Sequence, residues 1–418
     1  MPLSPALIPA AKDIEVDMVS HDLHEQLPRE WQEALAGTTK RIIIVGGGIA
    51  GLRTAEALRE RGFSGPLLGI TAEPLPPYDR SQLSTVALSD PDWHGVSTPS
   101  SVKGFWWFLG HKAVGLDLAT RQVQVDDGRR IDYDGLVIAT GRRARTLKSA
   151  PQALQLRTMA DAERLRSVLH SGPRHLVVVG GGLTGMEVAS VAATLGWEVT
   201  VADRRPHPLT ESLGSTVAEW VWRRHRDHGV RLRFGERVVA VHPGDRQRVE
   251  FADGTTIDAD VVLACVGTVP NTEWLAGSGL DVSGVVRTDD QQQVLTSTGQ
   301  PAEGVVAVGD VISHQVALSD GQRFEWSHWD LTVSDAQRAA ATLLGQGLSA
   351  VAARSFATRL YTHEVHVVGL PYGTESVVES DHPGFLVRYH DNGTLIGAVA
   401  VDQPDRVSDL LQEVTPQR

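Results

Sequence analysis

"RIIIVGGGIAGLRTAEALRERG", residues 41–62, holds an apolar run, a triple-glycine turn and a helix-like pattern in 22 residues. "HLVVVGGGLTGMEVASVAATLG", residues 175–196, repeats it. Each stretch predicts a buried strand, a tight turn and an amphipathic helix. Each is followed by a further strand pattern, "PLLGITAE" in the first copy and "EVTVADRR" in the second. The repeat therefore predicts two separate β-α-β units, each able to hold one nucleotide.

In the first copy Gly46, Gly48 and Gly51 form G-x-G-x-x-G, with Ala50 inside the pattern. The first glycine permits the turn and the second lets the backbone approach a pyrophosphate. The third lets helix and strand pack closely. The helix N-terminus then favours the phosphate charge. Glu73, 22 residues after Gly51, is placed to accept hydrogen bonds from a ribose. In the second copy Gly180, Gly182 and Gly185, with Thr184 between the last two, repeat the logic. Asp203 ends the next strand and favours NADH, because a 2′-phosphate would meet its charge. Arg204 and Arg205 follow at once and leave NADPH open, since arginines there can hold that phosphate. Two dinucleotide sites in one chain point to electron transfer between a bound flavin and a diffusible nicotinamide.

Outward from these units, "AVGLDLATRQVQVDDGRRIDYDGLVIATG" reads as a β-meander returning to a buried strand. "VVAVHPGDRQRVEFADGTTIDADVVLACVG" repeats that idea. The tail predicts strands at "HEVHVVG", "GFLVRYH" and "TLIGAVAV", the last two joined by the hairpin signal "DNGT", and a short helix at "QPDRVSDLLQ". Near the N-terminus Leu23, Leu27, Trp31 and Leu35 stand four apart, a helical stripe interrupted by Pro28. That stripe suits a helix docked on the body of the protein or a partner-binding arm, with a disordered extension as the remaining reading.

The 418 residues suggest two or three domains. A net charge of -12 argues against broad nucleic-acid binding. No apolar run is long enough to predict a transmembrane helix. Nor does the N-terminus read as a secretory signal. The one cysteine, Cys265, builds neither an intrachain disulfide nor a zinc cluster, and a cytoplasmic setting is expected. Cys265 lies in the apolar run "VVLACVG" and reads as packing.

The ordered series "VGGGIAG", "PYDR", "LVIATGRRAR", "VVGGGLTGMEVA", "CVGTVPNTEWL", "VVAVGDV" and "HW" carries a family resemblance over residues 41–418. The chain resembles the FAD-dependent pyridine nucleotide-disulfide oxidoreductase superfamily, and within it the ferredoxin reductases of oxygenase systems, of putidaredoxin reductase type. The resemblance implies an α/β fold with two Rossmann-like dinucleotide-binding domains and a C-terminal α+β domain. Residues 1–40 would be an extension. Residues 41–150 and 269–345 would bind FAD, 151–268 would bind NAD(P)H, and 346–418 would form the C-terminal domain.

It also implies roles by position. Gly46 to Gly51 and Glu73 would hold the pyrophosphate and adenosine ribose of FAD, and Arg80 would lie near its phosphates. Ala113 would meet the adenine through its backbone. Thr140, Gly141 and Arg145 would border the cofactor. Asp310 would take its ribityl or phosphate portion, and Trp329 would lie by the flavin ring. Gly182, Thr184, Gly185, Asp203, Arg204 and Gly267 would face the nicotinamide nucleotide. For Arg80, Asp310 and Trp329 the plainer readings are a carboxylate partner, a turn aspartate and a core aromatic.

The chain departs from the family pattern near the flavin. The stretch after "PYDR" usually ends in a lysine that pairs with a glutamate. Here the lysine position is Thr85 and the glutamate is Glu187. A desolvated carboxylate without a cation raises its pKa or finds another donor. An arginine or a water can serve, or the group can sit in solvent. Ser327 stands where a glutamate is usual before "HW". In the tail "FATR" replaces "FWSD", with Ala357 for the tryptophan and Arg359 for the aspartate.

The resulting expectation is an NAD(P)H-dependent FAD reductase feeding a small iron–sulfur ferredoxin, and through it an oxygenase. Residues 142–148, "RRARTLK", and 223–226, "RRHR", are candidate docking cations for an acidic acceptor. A flavoenzyme acting directly on a small molecule, and a flavin-bearing partner subunit, are the alternatives. Oligomeric state is left open by the sequence.

Overall fold

The strand Ile42–Val45 is buried along its whole length, as a parallel strand covered on both faces must be. It pairs in parallel with Leu67–Thr71 on one side and Gly135–Ile138 on the other. The helix Ile49–Glu60 covers one face. The sheet continues through Phe105–Leu109 at one edge and Pro301–Ala307 and Gln293–Leu295 at the other, giving six strands. All pairings are parallel except the last. The chain is described at residues 40–93, 102, 105–312, 314–317, 323–326, 329–347, 355–373, 375–381 and 384–415 in this computed structural model. The helix expected around Leu23 to Leu35 lies outside these residues, as do Ser327 and His328.

Ile42, Ile44, Ala55 and Leu58 pack with Ala336, Ala339 and Leu343 of the helix Trp329–Leu344. Each fully buried isoleucine or leucine contributes about 1.5–3 kcal/mol of transfer free energy. The opposite face carries the meander Ala113–Asp117, Gln122–Val125 and Arg130–Asp132, as its alternation predicts. Here Val123, Val125 and Ile131 meet Ile43 and Leu136.

The second unit repeats this plan. Its sheet has the order Arg231–Phe234, Glu198–Asp203, His175–Val179, Val261–Ala264, all parallel. The helix Leu183–Thr194 follows the second glycine loop. The second meander forms as expected, from Val238–His242, Gln247–Phe251 and Thr256–Ala259. All four strands of this sheet fall between residues 175 and 264, whereas those of the first sheet lie on both sides of that interval. The two crossings between the sheets are joined: Arg142–Ala144 pairs antiparallel with Thr268–Pro270.

The tail forms a five-stranded antiparallel sheet, in the order Ser355–Leu360, His363–Gly369, Thr394–Val401, Gly384–Asp391, Glu375–Asp381. The "DNGT" hairpin forms with Asn392 and Gly393 both at positive φ, 49° and 78°. Two of these strands, Ser355–Leu360 and Glu375–Asp381, go beyond the sequence expectation, as does Phe105–Leu109; all three are edge strands. The sheet shares a core with the second unit: Val365, Val387 and Tyr389 join Val217 and Val221 of the helix Thr210–Asp227. That helix breaks at Gly214, φ 73°, where a side chain would strike the Tyr389 hydroxyl at 2.1 Å. The fold is thus α/β, with two Rossmann-like sheets and a C-terminal antiparallel sheet.

Candidate functional site

The glycines of the two loops divide into two kinds. A Cβ on Gly46, at φ 127°, would lie 2.0 Å from the Ala139 carbonyl oxygen, and one on Gly51 would lie 2.2 Å from that of Gly46. Gly180 and Gly185 repeat this, at 2.1 Å from Cys265 O and 2.0 Å from Gly180 O. These four are required by the protein's own packing. Gly48 and Gly182 are not: a Cβ on either meets nothing within 4 Å. Each is also the N-cap of its helix and, having no side chain, leaves the first-turn amides without a side-chain cap. Such a cradle fits a pyrophosphate, with bare backbone, a helix dipole and room on one side.

Around the first loop the expected residues converge. Gly309 packs against Ala50, so Asp310 stands at the mouth of the first helix. The Asp310 carboxylate accepts from Arg157 Nη2 at 2.7 Å. The Arg157 carbonyl accepts from Arg80 Nη1 at 2.8 Å. Arg80 also forms a close ion pair with Glu73. The Tyr78 hydroxyl donates to Glu73 Oε2 at 2.6 Å and accepts from the Met159 amide at 2.9 Å. Burial pushes that phenol above its usual range. One continuous network therefore runs from Glu73 through Arg80 and Arg157 to Asp310. Arg157 was not singled out in the sequence; it stands just before the capping box of Thr158 and Asp161 that starts the helix Met159–Leu169.

Thr140 and Gly141 lie where the two crossings meet. Thr140 Oγ1 donates to the Asn271 carbonyl at 2.7 Å, and Asn271 Nδ2 donates to the Thr140 carbonyl at 2.9 Å. The Arg145 amide donates to the Gly267 carbonyl at 3.0 Å, so residues expected at the two different nucleotides touch. Ala113 is buried at the start of the first meander. Trp329 begins the helix Trp329–Leu344.

At the second loop Thr184 and Arg204 are exposed. Asp203 is buried. Its carboxylate accepts from the Gly181 amide at 2.8 Å, from the Arg205 amide at 2.8 Å and from the Arg205 guanidinium at 2.8 and 3.1 Å. Burial pushes this carboxyl up, but the hydrogen bonds from Arg205 and Gly181 outweigh it and hold it below the usual range.

Glu187 departs most from the sequence expectation. It is buried rather than set in solvent, and among the described residues no arginine takes the lysine's place. Its Oε2 accepts from Ser84 Oγ at 2.5 Å and its Oε1 from Thr358 Oγ1 at 2.5 Å. All three residues are buried. With hydroxyls and, among the described residues, no cation beside it, burial raises the carboxyl from 4.5 to about 7, although both hydrogen bonds pull the other way. Thr85 is half-buried beside Ser84 and starts the short helix Val86–Ser89. Along the strand Ser355–Leu360 side chains alternate between faces. Thr358 therefore turns inward, while Ala357 and Arg359 are exposed and Arg359 pairs with Glu364. The tail residue that touches Glu187 is thus neither of the two expected to alter the lining. Cys265 is half-buried. Burial, with the Glu187 carboxylate adding to it, pushes its thiol up to about 12, which leaves the thiol inert.

A family model described as pyridine nucleotide-disulphide oxidoreductase matches residues 40–339. The p-cumate 2,3-dioxygenase system ferredoxin--NAD(+) reductase component of Pseudomonas putida is 31% identical over 379 residues, 87% of this chain and 90% of that protein. Putidaredoxin reductase of Pseudomonas putida is 30% identical over 396 residues, 90% and 91% of the two chains. The crystal structure of the covalent putidaredoxin reductase–putidaredoxin complex superposes with a TM-score of 0.81 at 27% identity, covering 90% of this chain and 93% of that one.

Proposed function

The chain belongs to the pyridine nucleotide-disulphide oxidoreductase family, and we propose that within it this protein is an FAD-dependent NAD(P)H:ferredoxin oxidoreductase. The observation that carries this reading is the pair of open cradles at Gly48 and Gly182, one on each Rossmann-like sheet. One holds a resident dinucleotide and the other a visiting one. Disulfide chemistry does not fit, because the family's redox cysteine pair has no counterpart in a chain with one inert cysteine.

In this proposal residues 41–150 and 269–345 hold FAD, 151–268 take the nicotinamide nucleotide, and 346–418 close the site. Bound FAD supplies the conversion of a two-electron donor into single-electron steps. The chain's residues orient it. The amides after Gly48 take the pyrophosphate, Glu73 the adenosine ribose, and Arg80 and Arg157 the phosphate charge. Asp310 takes the ribityl portion, with Thr140, Gly141 and Arg145 bordering it and Trp329 beside the ring. Ala113 takes the adenine edge through its backbone. Gly185 and Gly267 shape the second cradle, and Glu187 sits between the two units at the level of Ser84.

The acceptor proposed is a small iron–sulfur ferredoxin serving an oxygenase, as the names of the relatives suggest. Of the two candidate basic patches, residues 142–148 suit an acidic acceptor better. Arg223 and Arg224 are already paired with Glu219 and Asp227, as Arg143 is with Glu273, which leaves Arg226 in one patch and two cations in the other. Arg145 and Lys148 are exposed, and no carboxylate pairs with either among the described residues. The test is to mix oxygen-free, FAD-loaded protein with NADH and then NADPH while following flavin absorbance. Bleaching within seconds, followed by ferredoxin-dependent cytochrome reduction, is expected. A flavin that neither nucleotide bleaches over minutes overturns the reading.

A further inference from the structure

The acidic residue after the second glycine loop is already fully engaged. An ionised carboxylate offers about four acceptor positions. On Asp203, Oδ1 takes the Arg205 amide and Nε, and Oδ2 takes the Gly181 amide and Arg205 Nη2. The side chain is only 5% exposed, whereas that of Arg205 is 43% exposed. A ribose 2′-hydroxyl seeking Asp203 must therefore displace a bidentate guanidinium or the Gly181 amide that ties the carboxylate to the loop. Charge-assisted bonds of this fork type are the strong ones, so displacing them is unfavourable.

The charge at the strand end points the same way. Asp203 is cancelled by Arg205, and the exposed Arg204 adds a cation that no carboxylate pairs with among the described residues. Among the described residues, the one further acidic group acting on Arg205 is Glu211, in the first turn of the helix Thr210–Asp227. Asp203 occupies Nε and one Nη2 hydrogen of Arg205, which leaves the Nη1 side of the guanidinium to meet a phosphate.

We propose that this site is built for a 2′-phosphorylated nicotinamide nucleotide: Arg205, held at the rim by Asp203, and the neighbouring Arg204 bind the 2′-phosphate of NADPH. Asp203 is then a positioning residue for Arg205 and not the ribose acceptor. The inference rests on the second loop being the nicotinamide site, and it parts from relatives whose names carry NAD(+).

The test is calorimetric titration of FAD-loaded protein with NAD+ and with NADP+, oxidised so that the flavin is not reduced. NADP+ is expected to bind at least as tightly as NAD+. In Arg205→Ala the NADP+ affinity should fall about tenfold or more, while NAD+ binding holds or tightens because Asp203 is released to the ribose. Arg204→Ala, at an exposed position, should weaken NADP+ alone. NADP+ binding about tenfold weaker than NAD+ in the unaltered protein overturns the proposal. So does an Arg205→Ala variant that leaves NADP+ unchanged or weakens both nucleotides equally. If neither nucleotide binds, the reading of the second loop falls first, and this inference falls with it.

Discussion

Ser84 Oγ donates to Glu187 Oε2 across 2.5 Å, joining the segment after the first β-α-β unit to the helix of the second. Thr358 from the tail sheet completes the contact on the other oxygen. Three regions of the chain thus meet on one buried carboxyl that, among the described residues, has hydroxyls for partners and no cation.

This carboxyl should make stability fall as pH rises. Its folded pKa is raised to about 7 from 4.5, so between these values the folded state holds a proton that the unfolded state releases. The stabilising contribution is complete below the unfolded value and is lost as pH rises through the folded one. The difference corresponds to about 3 kcal/mol at most. Glu187→Gln keeps the shape and the hydrogen-bonding capacity without the titration. Its stability relative to the unaltered protein should therefore grow from pH 4.5 to about pH 8 in denaturant titrations. Parallel pH profiles for the two proteins would show that Glu187 is not protonated when folded.

Thr85→Lys tests the same carboxyl from the other side. An ammonium beside Glu187 favours its charged form, so the pH-dependent loss of stability should flatten. Reduction of bound flavin by NADH, followed by stopped-flow absorbance, should also quicken by about tenfold if the pair assists hydride transfer. An unchanged rate would mean that the hydroxyl-bound acid serves as well as an ion pair.

The two kinds of glycine predict opposite failures. Gly51→Ala places a methyl 2.2 Å from the Gly46 carbonyl oxygen and should cost about 1–3 kcal/mol of stability, or prevent folding. Gly48→Ala enters open space at an extended backbone, φ -91°, and should leave the apoprotein melting temperature unchanged. Its FAD affinity should nevertheless fall by about tenfold or more, read by fluorescence on dialysis, because the methyl stands where the pyrophosphate approaches.

Arg157→Gln should release FAD more readily, with a dissociation constant raised about tenfold. The substitution removes the guanidinium that holds Asp310 and leaves the Arg157 backbone carbonyl still able to accept from Arg80. Retention of FAD at the unaltered level through gel filtration would confine Arg157 to a structural role.

The fold was legible because its signals are local. Gly51 and Gly185 are fixed by the carbonyls of Gly46 and Gly180 in their own loops, and the "DNGT" hairpin needs only Asn392 and Gly393. The positions of Glu73 and Asp203 were legible because each sits at a fixed offset from such a signal, at or just past the end of the strand that follows its glycine loop. What escaped is non-local. Nothing near Arg157 in sequence announces Asp310, which lies 153 residues away. The hydroxyls that meet Glu187 come from 103 and 171 positions off. Attention to Thr85 and to the pair Ala357 and Arg359 fell one residue from each true partner. At Thr358 the cause is the strand's alternation, which turns neighbours to opposite faces.

The paired crossings, Arg142–Ala144 against Thr268–Pro270, have an evolutionary consequence. The segment carrying the four-stranded sheet leaves and re-enters the rest of the chain at adjoining points, joined by a ribbon of three residues on each side. An inserted unit with neighbouring ends can be exchanged between genes without breaking the six-stranded sheet that hosts it. In the proposed assignment, selection can then retune the visiting nucleotide through Asp203, Arg204 and Arg205 while the resident cofactor's cradle stays as it was.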